Sequence, residues 1–237
     1  MCRSTDPRDK RTRVGALVET DGGTRILIDT PPELRLQLIA AGVDKVDAIL
    51  FTHDHADHIH GIDDIRALSD RSNAPIEMYG PPDTMRRLAD RFAYIFDETI
   101  KPLPGTSKPE GRAHPVLPGK SFRIGDVDVM PVAVPHGPIS VYGYRIGNLG
   151  YITDAKELPE EALRAFRGVS VLVLNALFRT QHPTHLSVSE AVAVAKRVGA
   201  PQTWLTHLTH RTGHAELEAE LPPGIAPAFD GLTVHVD

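Results

Sequence analysis

Residues 52–58 spell Thr-His-Asp-His-Ala-Asp-His and follow directly on an apolar run at 46–51. A strand that ends abruptly in three imidazoles and two carboxylates delivers metal ligands to its C-terminal end. Neutral imidazole nitrogen and carboxylate oxygen suit zinc, manganese or iron, and one cysteine in the whole chain argues against a thiolate-rich site. If the tract is extended, alternation turns His53, His55 and Asp57 to one side and lets His58 leave on the following turn. An open catalytic zinc takes three protein ligands and keeps one position for water, so four donors in one loop point to two metals. The bland alternative is a polar surface loop rich in histidine, which the preceding strand and the donor spacing disfavour.

Further donors stand where other apolar runs end. Residues 132–135 lead to His136, residues 150–153 to Asp154, and residues 203–206 to His207. Strand ends are where side chains leave a buried sheet for a cleft, and several on one edge can converge from distant sequence. Each alone is an ordinary polar strand cap; with the histidine tract they become candidate ligands. A further histidine, His185, precedes the pair Ser187 and Glu190, a capping-box spacing that starts a helix there. At the rim of a metal site such a histidine donates a proton to a leaving group; otherwise it packs beside a helix N-terminus.

The elements that must position these residues read as follows. Residues 14–18 and 25–28 form a hairpin, and Pro31-Pro32 opens a helix closed by Gly42. Strands are expected at 46–51 and 76–79, then a helix in which Met85, Leu88, Phe92 and Phe96 share a face. Residues 97–119, with five prolines, read as an irregular excursion that serves as a solvated connector or a lid. Strands follow at 127–134, 140–146, 150–153, 171–174, 203–206 and 232–236, with helices at 160–166, 187–198 and 214–221. Hairpins followed by alternating strands and helices make an α/β fold of sheets flanked by helices.

A chain of 237 residues, 41% hydrophobic, can bury the core of one domain over 1–237. A net charge of -5 provides no basic field, so a long nucleic acid is not expected as main partner, whereas a small anion can still be drawn by metal charge. The charged N-terminus has no apolar leader and no run is long enough to span a membrane; with one cysteine, these features predict a cytoplasmic protein without disulfides.

Taken in order, Asp29, His53, His55, Asp57, His58, His136, Asp154 and His207 resemble the pattern of the metallo-β-lactamase-fold hydrolases over nearly the whole chain. The resemblance implies an αββα sandwich of two mixed sheets flanked by helices. It implies one metal on His53, His55 and His136, a second on Asp57, His58 and His207, and Asp154 bridging both, with Asp57 also counted as catalytic. Asp29 matches a buried carboxylate that orients an imidazole. The zinc β-lactamases of the most familiar kind carry a cysteine where Asp154 stands, which turns the reading from antibiotics toward phosphodiesters or thioesters.

His182-Pro183-Thr184-His185-Leu186-Ser187, the stretch 205–210, residues 61–66 and Phe229-Asp230-Gly231 look like the PhnP-type cyclic phosphodiesterases of the carbon-phosphorus lyase pathway. That likeness implies His185 as general acid and a ribosyl 1,2-cyclic or 2',3'-cyclic phosphate as substrate, opened by hydroxide held between two zinc or manganese ions. The family opens with a Gly-Thr-rich strand and a cysteine cluster that, with a late histidine, holds a structural zinc. Here only Cys2 and His210 match, a possible remnant. A homodimer is possible. Rival readings are a tRNA 3'-end processing endonuclease, a thioester hydrolase and a non-catalytic metal-binding module.

Overall fold

In the computed structural model, which describes residues 3–237, the strand that carries the histidine tract is the middle of a five-stranded sheet. The chain forms two units, residues 13–127 and residues 128–237 with the N-terminal residues up to Thr12.

In the first unit β1 (Ala16–Glu19) and β2 (Arg25–Ile28) form the antiparallel hairpin expected at that place. Its turn is tied down by Asp126, whose carboxylate accepts from the hydroxyls of Thr20 (2.7 Å) and Thr24 (2.6 Å). After α1 (Leu34–Ala41), the strand β3 (Ala48–Leu50) adds in parallel to β2. Then come α2 (Ala56–Ile59), a short 3-10 turn at Ile62–Ile65, α3 (Arg66–Ser72) and the parallel strand β4 (Ile76–Gly80). Ile26, Ile28, Ala48, Ile49 and Leu50 are fully buried, as strands covered on both faces require. Ile49, Phe51, Met78, Met85 and Leu88 belong to the core that the helices of this unit cover.

Pro82 opens α4 (Pro82–Arg91), where its missing N–H costs nothing. The single helical face expected from Met85 to Phe96 is broken: at Phe92 the backbone leaves the helical region (φ -122°, ψ 45°), and α5 (Ala93–Phe96) buries Ile95 instead. The excursion at 97–119 is not irregular throughout. Its Gly-Arg-Ala-His-Pro segment forms β5 (Gly111–Pro115), which adds in parallel to β4 at the sheet edge, where a proline at the strand end is tolerated. The short β6 (Phe122–Ile124) belongs to the other, seven-stranded sheet.

The second unit has a meander of β7 (Val127–His136), β8 (Ile139–Ile146) and β9 (Leu149–Ile152), all antiparallel. Three parallel additions follow: β10 (Val171–Asn175) beside β9, β11 (Gln202–Thr206) beside β10, and β12 (Ile225–Pro227) beside β11. The connections carry α6 (Glu160–Phe166), α7 (Val188–Val198) and α8 (His214–Glu220). Phe166, Leu172, Leu174, Ala191 and Leu205, none exposed, centre the core. The predicted capping box is present: Ser187 N–H donates to Glu190 at 2.7 Å, and the Ser187 hydroxyl receives the Glu190 N–H. The final strand expected at 232–236 is not formed. Its place at the sheet edge is taken by β12, which the preceding Pro222-Pro223-Gly224 hid from a periodicity reading.

Residues 3–12 are fastened to this unit through polar groups. Arg11 donates to the carbonyls of Thr209 (3.2 Å) and Thr212 (3.1 Å), and Asp9 accepts the N–H of His214 (2.8 Å). Among the described residues, no helix is long and apolar enough to cross a membrane.

Candidate metal centre

In the first unit Asp29 organises the tract. It follows β2 with a φ of 60°, a conformation that a residue with a Cβ rarely takes, and it is fully buried. Its Oδ1 accepts the Thr52 N–H (2.8 Å), and its Oδ2 accepts both the Thr52 hydroxyl (2.8 Å) and Nδ1–H of His58 (2.8 Å). Having donated to Asp29, the Thr52 hydroxyl is the acceptor for Nδ1–H of His53 at 3.0 Å. Both rings therefore carry hydrogen on Nδ1 and turn an Nε2 lone pair away from the carboxylate, the tautomer that ligation needs. Burial pushes the Asp29 carboxyl above the usual carboxylate range, while His58 and Thr52 pull against that rise.

The tract is extended only as far as His55, which caps α2 (φ -66°, ψ 149°); Asp57 and His58 lie on the first turn of that helix. Asp57 thus departs from the strand alternation expected for it. The His53 ring lies 4.4 Å from that of His55 and 4.3 Å from that of His58, and Asp57 Oδ2 is 3.6 Å from His58 Nε2. Gly61 lets α2 descend onto the 29–31 segment: a Cβ there would stand 2.0 Å from the Pro31 carbonyl oxygen. The backbone bonds Thr30 N–H to His58 (2.8 Å) and Gly61 N–H to Thr30 (2.9 Å) close that contact.

In the second unit Asp154, two residues beyond β9 and 2% exposed, is the centre. Its Oδ2 lies 3.2 Å from His185 Nε2 and 3.8 Å from His136 Nε2, and its Oδ1 lies 3.4 Å from His207 Nε2. Three donor atoms, one each from Asp154, His185 and His207, fall within 4.8 Å of one another, a spacing that fits a divalent ion. His207 directly follows β11 with a φ of 56°, a second strained backbone at a donor. His136 is turned by the Thr184 carbonyl, which accepts its Nδ1–H at 2.9 Å. Gly137 leaves room for that neighbour, because a Cβ would come within 2.6 Å of Thr184 Cγ2. The Thr184 hydroxyl stands between His185 Nδ1 (2.9 Å) and His182 Nδ1 (3.2 Å). Burial, with repulsion from His185 and Lys156, holds His182 below its usual range. By distance from Asp154 alone, His185 stands with the ligand candidates.

The β-lactamase superfamily domain model matches residues 24–208. The chain belongs to the β-lactamase superfamily. A solved structure described as a diphosphatase of the PhnP family is 38% identical, with a TM-score of 0.88 over 98% of this chain and 86% of that one. The ribonuclease Z of Bradyrhizobium sp. is 28% identical over 96% of each chain. An octanoyltransferase of Porphyromonas gingivalis is 36% identical over the whole chain, which spans about half (47%) of that protein's length. This is a hydrolase domain of the metallo-β-lactamase fold, with the α/β class and the two mixed sheets flanked by helices that the sequence pattern predicts.

Within this superfamily member, Thr52 and Thr184 are supporting residues that the sequence reading passed over, because a threonine beside a histidine has no spacing signature. Cys2 lies outside the described residues. His210 is exposed and joins no candidate group of three donors among the described residues.

Proposed function

We propose that this domain is a dinuclear metal-dependent phosphodiesterase that opens a small cyclic phosphodiester, a ribosyl 1,2-cyclic or 2',3'-cyclic phosphate. The two units are taken together as one catalytic domain, since the family match runs across the boundary at 127. His53, His55 and His136 would hold one ion, Asp57, His58 and His207 the other, with Asp154 shared. Zinc and manganese both suit these donors. When bound, the ions supply a water nucleophile of lowered pKa and neutralise the non-bridging phosphate oxygens.

The observation that carries this reading is the Asp154 carboxylate, reached by imidazoles from several strand ends and loops at 3.2 to 3.8 Å. The protein's own groups have separable tasks. Asp29 and Thr52 fix the tautomers of His58 and His53, and the Thr184 carbonyl fixes that of His136. As a general acid His185 acts from its imidazolium form: Nδ1–H donates to the Thr184 hydroxyl, Nε2–H points toward Asp154, and transfer of the Nε2 proton to a departing ribose oxygen leaves the neutral imidazole. The test is turnover with added manganese or zinc, first on bis-p-nitrophenyl phosphate, then on ribosyl cyclic phosphates, linear phosphodiesters and diphosphates. The last set is included because the PhnP-family relative is a diphosphatase. No turnover of any ester overturns the enzyme reading; turnover of linear or diphosphate substrates alone overturns the cyclic one.

A second reading, cleavage of an RNA, is favoured by the full-length similarity to ribonuclease Z. Against it, cations of the 97–119 region are engaged within the first unit: Lys108 donates to the Tyr94 carbonyl (3.0 Å), and Arg112 pairs with Glu77 (2.8 Å). Binding through phosphates would weaken steeply with salt in a gel-shift titration.

A further inference from the structure

We infer that Arg87 and Arg91 are positioning residues for the metal ligand His55, acting through Asp54. The inference rests on the dinuclear reading above. Asp54 separates His53 from His55, and its side chain is 12% exposed. Two guanidiniums of α4, four residues apart and so on one helix face, converge on it. Arg87 Nε and Arg91 Nη2 each lie 3.2 Å from the same oxygen, Asp54 Oδ2. Arg91 Nη1 also donates to the Asp54 main-chain carbonyl at 3.1 Å. That carbonyl belongs to the peptide joining Asp54 to His55. Arg91 thus grips a residue by side chain and backbone at once, fixing the plane of the peptide from which His55 departs.

The need for such a grip follows from how the tract is held. His58 hangs from the buried Asp29 through Nδ1, and His53 hangs from it by way of the Thr52 hydroxyl. His55 is exposed at the α2 cap, with its ring edge against that of His53 at 4.4 Å between centroids. The clamp also disposes of a competing ligand. A carboxylate between two ligating histidines is itself a hard donor, and two guanidiniums turn it away from a cation. An isolated surface ion pair contributes little to stability, so this arrangement affects ligand geometry more than folding.

The experiment is stepwise zinc binding to the full chain by chelator competition, in wild type, Arg91→Gln, Arg87→Gln and Arg91→Lys. Removal of a group that orients a ligand typically lowers affinity about 10- to 100-fold, and that loss is expected in Arg91→Gln for one of the two binding steps only. Arg87→Gln, which touches only the carboxylate, should lose less. Arg91→Lys should recover part of the loss, since an ammonium can meet the carboxylate or the carbonyl but not both in the same fork. The melting temperature of the metal-free protein should match wild type in all variants. Unchanged affinity in Arg91→Gln overturns the clamp, as does an equal fall in both steps with a lower metal-free melting temperature. If wild type itself binds no zinc or manganese, the dinuclear reading fails first, an outcome distinct from a loaded wild type with an indifferent Arg91.

Discussion

Residues 52–58 and the group His136, Asp154, His185 and His207 carry similar donors on different scaffolds. The first set is contiguous, leaves one strand and enters one helix, and two of its rings are oriented by a single buried carboxylate, one directly and one through the Thr52 hydroxyl. The second is gathered from the end of β7, from beyond β9, from the start of α7 and from the end of β11, and its histidines are turned partly by backbone and a hydroxyl of Thr184. A local tract concentrates its support in one side chain, so one substitution should reach several ligands. In the dispersed set part of the support is a main-chain carbonyl, that of Thr184, which a substitution does not remove, so its weak points are the donors themselves.

The largest expected effect tests the dispersed set. Asp154→Ala removes the carboxylate that the histidines share, which would leave the two proposed cations less screened from each other, and should lose at least one metal per chain with nearly all activity. Elemental analysis showing two metals, with normal turnover, would end the bridging assignment. Next, His185→Ala should slow a ribose cyclic phosphate by roughly a hundredfold while metal content stays constant, and an aryl ester, whose phenolate leaves unaided, should lose far less. Equal losses for both substrates would move His185 from proton donor to scaffold or ligand, a possibility that its 3.2 Å approach to Asp154 makes worth separating.

The corresponding test of the local set is Asp29→Asn. The amide keeps one acceptor but in either orientation turns its NH2 toward a donor, the Thr52 N–H or the Thr52 hydroxyl with His58 Nδ1–H, so the hold on the two rings is weakened. Metal affinity should fall by a few tens of fold, in the range typical for loss of a carboxylate behind a ligating histidine. Retained affinity would show that the tract is held by α2 and not by Asp29.

The smallest effect lies away from both sets. Burial, with Arg8 and Arg11 nearby, holds His214 below its ordinary pKa of 6.5. The folded protein then binds fewer protons at this site than the unfolded chain. Its contribution is complete above 6.5 and declines as pH falls toward the folded value, levelling out below it. Urea midpoints compared between about pH 7.5 and about pH 5.5 should fall less in His214→Phe than in wild type. Parallel curves would remove His214 from the acid sensitivity.

Much of this was legible in the residues themselves. The run into His53, the apolar ends at His136, Asp154 and His207, the Ser187 capping box and the hairpin at 25–28 all follow from local physics: periodicity, capping chemistry and the donor preferences of metals. The strands that escaped were β5, β6 and β12. All three are short edge strands, two of them proline-bearing, whose only warrant is a neighbour to pair with, while residues 232–236 alternate like a strand and find none. Likewise, nothing local marks Thr52, Thr184, Arg87 or Arg91 as supports, because a hydrogen bond between residues 37 or 48 positions apart has no spacing rule. The left-handed backbones of Asp29 and His207 are tertiary facts of the same kind. Composition determines which atoms can bind a metal; only the folded chain decides which side of each ring faces it, since that depends on the acceptor packed behind the other nitrogen.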